Sequence, residues 1–216
     1  MLVRLLARLF PRLAFRSLDG TAAAHATETA RAINPLIEFA HESSKRMCTV
    51  VIGATEITGD TVIYLGSNGW LAKVGTEQPL ACGTTDIPFG AGAAACIAAA
   101  NVFRWAFAEA LENPALDKRL VISVLDFKHG ARAANPAFPA KRDLGQFSMV
   151  GLGAIGNAAV WALGRLPGAT GAIDLIDHER IEISNLQRYV LADRQSVGAE
   201  KVEVMKHFLP GFGVRT

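Results

Sequence analysis

A chain of 216 residues has room for one large or two small domains and enough length to bury a core. Half of it is hydrophobic and 19% is charged, which excludes an intrinsically disordered chain. The 22 basic and 20 acidic residues leave a net charge of +2, with no basic excess to bind nucleic acid. The three cysteines, Cys48, Cys82 and Cys96, fit no C-x-x-C spacing. Neither a disulfide framework nor a zinc site is expected, and a cytoplasmic setting suits them, with the cysteines read as small buried hydrophobes.

Residues 1–20 form a basic extension. Arg4, Arg8, Arg12 and Arg16 recur at every fourth position, on one stripe of an amphipathic helix that Pro11 interrupts. Three readings fit: a helix lying on a membrane surface, an organelle transit peptide, or an extension packed on its own domain. Membrane contact is the less favoured of these, and a secretory signal is not expected, because an arginine every turn breaks up the apolar h-region. Thr21 to Ser44 reads as helix broken near Asn34-Pro35. Strand-like runs follow at Cys48 to Ile52 and Thr61 to Leu65, and Asn68-Gly69 predicts a hairpin turn into Leu71 to Val74. After a loop at Gly83 to Gly92, Ala93 to Leu111 reads as a long helix, with Val102, Phe103, Trp105, Ala106 and Phe107 buried against a sheet. Its alanine- and glycine-rich start, in the charge-free run Gly90 to Phe103, is shorter than the ~20 residues that span a bilayer. Leu120 to Phe127 reads as an apolar strand.

Lys128 to Gly145, with Gly130, Asn135-Pro136 and Pro139, is the best candidate boundary. Residues 21–140 then form a mixed α/β module and residues 141–216 a second unit. In that unit Phe147 to Val150 reads as a strand running into G-x-G-x-x-G at Gly151, Gly153 and Gly156, with a helix after it. The three glycines respectively allow a tight turn, the approach of a phosphate to bare backbone, and close packing of helix on strand. The helix start offers unpaired N–H groups to an anion. The next strand, Ala172 to Ile176, ends at Asp177, where a carboxylate meets ribose hydroxyls. Asp174 is an acid inside a strand expected to be buried, and it requires a partner or an exposed face. Gly90 to Ala95 also opens a helix whose following strand ends near Asp126; a degenerate duplicate and coincidence both fit.

To this point a nicotinamide-dependent oxidoreductase serves as well as any other nucleotide binder. Beyond Asp177 come Ser184-Asn185-Leu186-Gln187-Arg188 and Val197-Gly198-Ala199-Glu200-Lys201. Ser184 and Gln187 have capping-box spacing, which predicts a helix from Asn185, and Gly198 precedes another whose apolar face is Val202, Met205 and Leu209. Lys201 in the first turn opposes the helix dipole by ~0.3–1 kcal/mol, so a nearby anion would account for it.

These four elements, in this order, resemble the ThiF-type family of ubiquitin-activating and sulfur-carrier adenylyltransferases. The resemblance spans residues 148–209 and implies an incomplete Rossmann-like parallel sheet unit behind a smaller mixed α/β module. It implies ATP-dependent adenylation of the C-terminal carboxylate of a ubiquitin-like or sulfur-carrier protein, with Mg2+ as the metal. Under it Gly151, Gly153, Gly156, Asp177, Glu179, Asn185, Arg188 and Lys201 bind the nucleotide, and Arg188 and Lys201 are also the catalytic candidates. Asp177 would hold the ribose; Asn185, Arg188 and Lys201 would contact phosphates; Glu179 would support the metal or phosphate region. Catalysis would be positioning and charge stabilisation.

The departures carry equal weight. The family's third core strand would begin just past Leu209. Its metal-binding aspartate is expected beyond the end of this chain, so no metal ligand is assigned within it. The sheet is therefore expected to be cut after two strands, leaving apolar surface uncovered, and the chain reads as truncated and impaired or inactive alone. Residues 21–140 resemble a degenerate adenylation half, and relatives without such a pairing work as homodimers. A non-catalytic nucleotide-binding scaffold and an NAD-dependent oxidoreductase remain the alternatives.

Overall fold

The computed structural model describes residues 1–18, 20–39 and 47–216. They fall into two compact units. One combines residues 3–39 with Pro139–Thr216; the other holds residues 47–138.

The first unit opens with α1 (Leu2–Leu9), β1 (Arg12–Leu13), α2 (Thr21–Ile33) and β2 (Glu38–Phe39). Both helices stop for the same local reason. Phe10 precedes Pro11 and Asn34 precedes Pro35, and each has left the helical region, with ψ of 130° and 93°. The arginine stripe is consequently cut short. Arg4 and Arg8 lie on α1, whereas Arg12 sits in β1 and pairs with Glu38 of β2 at 2.6 Å. β1 and β2 run parallel, and Ala7, Ala30, Ile33 and Ile37 bury a small core between the two helices. The helix read from Thr21 ends at Ile33, and the last part of its expected span, towards Ser44, lies outside the described residues.

The second unit is a four-stranded sheet in the order β3 (Cys48–Ile52), β4 (Thr61–Asn68), β5 (Leu71–Gly75) and β6 (Arg119–Ser123). β3 and β4 are parallel, and the other two pairings are antiparallel. Gly69, at φ 58°, turns the hairpin between β4 and β5 as Asn68-Gly69 predicted. Helix α3 (Phe89–Ala106) packs on this sheet through Gly90, Gly92, Ala94, Ala95, Ala98, Ala99, Asn101 and Val102. The aromatic residues expected on the buried face are not all there: Phe103 and Phe107 are 40% and 49% exposed, and their rings meet at a tilt of 38° with centroids 4.5 Å apart. Small residues at helical spacing win that face because they bring the helix axis close to the strands. Gly90 marks the limit, since a Cβ there would lie 2.4 Å from the Leu71 carbonyl oxygen. β6 is shorter than the strand read from the sequence and ends at Ser123. Cys82 and Cys96 are exposed rather than buried, and Cys48 is half-buried, its thiol pushed up to about 11 by desolvation.

The first unit resumes with β7 (Arg142–Val150), α4 (Ala154–Gly164), β8 (Ala169–Ile176), α5 (Lys201–Lys206) and β9 (Phe212–Arg215). β7 starts earlier than the expected Phe147 and carries an irregularity between Asp143 and Gln146. The sheet is not cut after two strands. β9 adds a third, parallel to β8 and in register from Gly171↔Phe212 to Asp174↔Arg215. With strand order β7-β8-β9 and helices in both crossovers, this is an incomplete Rossmann-like α/β sheet.

Ile173 and Leu175 of β8 point into the main core beside Leu152, Val160, Trp161, Val202, Met205 and Leu209. Each such side chain contributes ~1.5–3 kcal/mol by its burial. Alternation sends their neighbours to the other face, where Val150 and Ile176 are 75% and 50% exposed. Asp174 lies on that face and finds the partner it requires across the sheet. Arg215 donates to it from β9, through Nη2 at 3.0 Å, and the Ser148 hydroxyl approaches from β7 at 3.4 Å.

Candidate functional site

The glycine loop joins β7 to α4. Gly151 continues the ladder by donating its N–H to the Ile176 carbonyl at 2.9 Å, then turns at φ 84°, a conformation disfavoured for any residue with a Cβ. Gly156 packs directly over that turn, where a Cβ would lie 2.3 Å from the Gly151 carbonyl oxygen. Gly153 is the N-cap of α4 and supplies no side-chain cap; the first helical bond runs from Asn157 N–H to the Gly153 carbonyl at 2.8 Å. The N–H groups ahead of Asn157 therefore have no partner within the helix, and the helix dipole adds partial positive charge around them. Such a loop fits an anionic group that needs bare backbone.

Asp177, the residue after β8, is hydrogen-bonded to that loop. Its Oδ2 accepts the Leu152 N–H at 2.7 Å and its Oδ1 the Glu179 N–H at 2.9 Å. Burial pushes its pKa up, but those two N–H groups, together with Lys201 and His178, outweigh that and hold it below the ordinary carboxylate value. Each oxygen keeps a second lone pair, so the carboxylate can still accept from a ligand's hydroxyl groups.

Lys201 is the first residue of α5 and is only 2% exposed. The anion that accounts for it is supplied by the protein. Its ammonium donates to Glu179, lies 3.9 Å from Asp177, and sits 5.1 Å from the centre of the Tyr189 ring. Desolvation lowers its pKa, yet Glu179, the Tyr189 hydroxyl and Asp177 together raise it above the usual lysine value. The Tyr189 hydroxyl also reaches the glycine loop, 3.7 Å from where a Cβ on Gly153 would stand.

Arg188 is exposed. Its guanidinium lies 5.6 Å from the centre of the Tyr189 ring and donates to the Ser184 carbonyl at 3.3 Å. The helix predicted from Asn185 does not form. A single 3-10 turn, Ile183–Asn185, takes its place, with a capping box between Glu182 and Asn185 instead of Ser184 and Gln187. Asn185 is consequently buried, and its side-chain oxygen accepts the Glu182 N–H at 3.0 Å. Its amide nitrogen has only a 3.5 Å contact with the Ser184 hydroxyl.

Two contributors escaped the sequence reading. Tyr189 stands between the loop and the cations; it directly follows Arg188, and that adjacency was its one available signal. Asn157, fully buried, directly follows the third glycine. Its amide donates to the Leu152 carbonyl at 2.8 Å and the Gly153 carbonyl at 3.2 Å, and its oxygen accepts the Leu191 N–H at 3.3 Å. A polar residue in an otherwise apolar helix face was the clue. Among the described residues no three His, Cys, Asp or Glu side chains group to hold a metal ion. Also among the described residues, no helix is long and apolar enough to cross a membrane.

Residues 141–214, which hold the strand, the uncapped glycine loop, the helix and the strand-end acid, match the model of the ThiF family. Residues 1–108, half of the chain, match prokaryotic E2 family C, and the chain belongs to that family. Where residues 21–140 resembled a degenerate adenylation half, the family matched over residues 1–108 is thus an E2 family. The chain is 44% identical over 205 residues to an uncharacterized protein, y4jF, of Sinorhizobium fredii (strain NBRC 101917 / NGR234). That alignment covers 92% of this chain and 39% of y4jF, so the chain spans about two fifths of its relative's length. At the level of the family, ThiF proteins use ATP and Mg2+ and activate ubiquitin-like or sulfur-carrier proteins.

Proposed function

We propose that residues 139–216 bind ATP for adenylation of the C-terminal carboxylate of a ubiquitin-like or sulfur-carrier protein. The observation that carries this reading is the joint geometry of the glycine loop and Asp177. One carboxylate is locked under the loop by the Leu152 N–H while retaining lone pairs for ribose hydroxyls. Phosphates would lie on the N-terminal end of α4 along Gly151, Gly153 and Gly156, with Arg188 offering a planar, forked donor from the exposed side. Lys201 would add its charge from below the Tyr189 ring, and Glu179, its present partner, has a 60% exposed side chain that is free to turn outward. Asn185 would contribute its amide N–H groups. The chain's part in the reaction is to orient and to stabilise charge. The E2-family region on the same polypeptide supports a ubiquitin-like protein as the partner.

A second reading has an observation of its own. Lys201 is already neutralised by two carboxylates, which favours a nucleotide-binding scaffold without turnover. ATP–pyrophosphate exchange with a Gly-Gly-ending carrier protein decides between them. Exchange that depends on the carrier supports adenylation. ATP binding without exchange supports the scaffold, and tighter binding of NAD than of ATP removes both.

A further inference from the structure

We infer that Arg8 of α1 is a positioning residue for the candidate nucleotide site, because its guanidinium gathers the carbonyls of the turn that carries Arg188 and Tyr189. The inference rests on the nucleotide reading above and assigns a role to a segment that reading leaves unused.

Residues 186–192 form no helix or strand; the Tyr189 carbonyl accepts the Ala192 N–H at 3.1 Å, and further donors to the carbonyls of this turn come from outside it. Arg8 supplies them. Its Nε donates to Leu186 at 2.7 Å, and its Nη2 donates to Tyr189 at 2.8 Å and to Ala192 at 2.5 Å. Its Nη1 bonds the Arg4 carbonyl one turn back, which fixes the guanidinium to its own helix, and Arg4 extends the contact to the Val190 carbonyl at 3.0 Å. The planar fork of arginine matches several converging carbonyls in a way an ammonium cannot. α1 is itself held on two sides. Met1 and Leu5 pack against the core beneath α4 and α5, and Ala7 packs against α2. Desolvation and the neighbouring Arg4 hold the Arg8 pKa down at about 10, against the opposing pull of Asp193. The guanidinium therefore occupies a site whose acceptors are neutral carbonyls.

The turn is bound on its other side as well. Leu191 N–H donates to Asn157, which in turn holds the Leu152 and Gly153 carbonyls of the glycine loop. A continuous chain of bonds therefore runs from α1 through the turn to the loop. If Arg8 lets go, the carbonyls of Leu186, Tyr189 and Ala192 lose a shared donor and the turn loosens around Arg188, while the loop keeps its own glycine geometry.

The test uses the full chain and ATP as the probe. ATP affinity and amide hydrogen exchange are measured for wild type, Arg8→Ala, Arg8→Lys, Arg188→Ala and the Arg8→Ala/Arg188→Ala double variant. Arg8→Ala should weaken ATP binding about tenfold, a change of ~1.4 kcal/mol. It should also speed exchange at the Tyr189 and Ala192 amides, and Arg8→Lys should restore only a minor part of both. The double variant should bind no more weakly than Arg188→Ala, because Arg8 acts through that residue. Unchanged exchange at those amides in a folded Arg8→Ala or Arg8→Lys overturns the inference, as do losses that multiply in the double variant. If wild type itself binds no ATP, the nucleotide reading falls, while the exchange measurement still decides whether Arg8 orders the turn.

Discussion

Two helices of this protein start on similar glycine-rich sequence and use it in opposite ways. Gly90-Ala91-Gly92 opens α3, and Gly151-Leu152-Gly153 leads into α4. In α3 the glycine is a packing residue: Gly90 is buried, its N–H is taken by the Gly69 carbonyl at 2.9 Å, and its missing Cβ makes room for β5. In α4 the loop turns at a left-handed glycine, the third glycine packs back on that turn, and the helix start is left without a side-chain cap. The apolar strand in front makes the difference. β7 delivers Gly151 to the end of a parallel sheet beside Asp177, whereas α3 follows a loop and its first turn lies against a hairpin. A glycine-rich helix start becomes a candidate ligand site only where the sheet ends beneath it.

Substitutions can break this comparison. The largest effect is expected at Lys201. Replacing it with Met leaves Asp177 in a buried position without its ammonium, so stability should fall by about 3 kcal/mol, measured by urea denaturation, and ATP binding should be lost. An unchanged midpoint would mean the ammonium does not hold that end of the sheet together.

The glycines give the direct contrast. Gly156→Ala and Gly90→Ala should each cost ~1–3 kcal/mol, because both methyl groups meet backbone that cannot step aside. Only Gly156→Ala should abolish nucleotide binding. Equal loss of ATP affinity in the two variants would erase the distinction drawn between the helices.

Asp177 sharpens the comparison through pH. Its folded pKa is depressed, so the stability it contributes is present above the unfolded value and is lost as pH falls through the folded one. The thermal midpoint of wild type should drop more steeply below about pH 4 than that of Asp177→Asn. Parallel curves would detach the carboxylate from the loop. The smallest structural effect belongs to exposed Arg188: Arg188→Ala should leave stability within ~0.5 kcal/mol and weaken ATP binding, measurable by titration calorimetry.

Much of the loop was legible because its signals are local. A strand, three glycines at fixed spacing and an acid at the next strand's end all lie within one βαβ stretch. Lys201 was legible as a position but not as a buried residue, because its carboxylate partners come from a segment 22 or more residues earlier. The helix expected at Asn185 failed because Glu182, one residue before the 3-10 turn, competes for the same cap. The arginine stripe misled in one respect: Pro11 ends α1, so only Arg4 and Arg8 share its surface. Which way that surface faces depends on carbonyls almost the whole chain away, and no local pattern encodes them.

Asn157 has one further consequence. The two ends of a carboxamide are chemically different, and here the donor end faces loop carbonyls while the acceptor end faces the Leu191 N–H. Rotating the group by half a turn would set oxygen against oxygen and N–H against N–H. The fastener therefore works in a single orientation, and the loop and the neighbouring turn cannot slide past each other without breaking it. They share one rigidity, so a displacement of either is carried to the other through that single side chain.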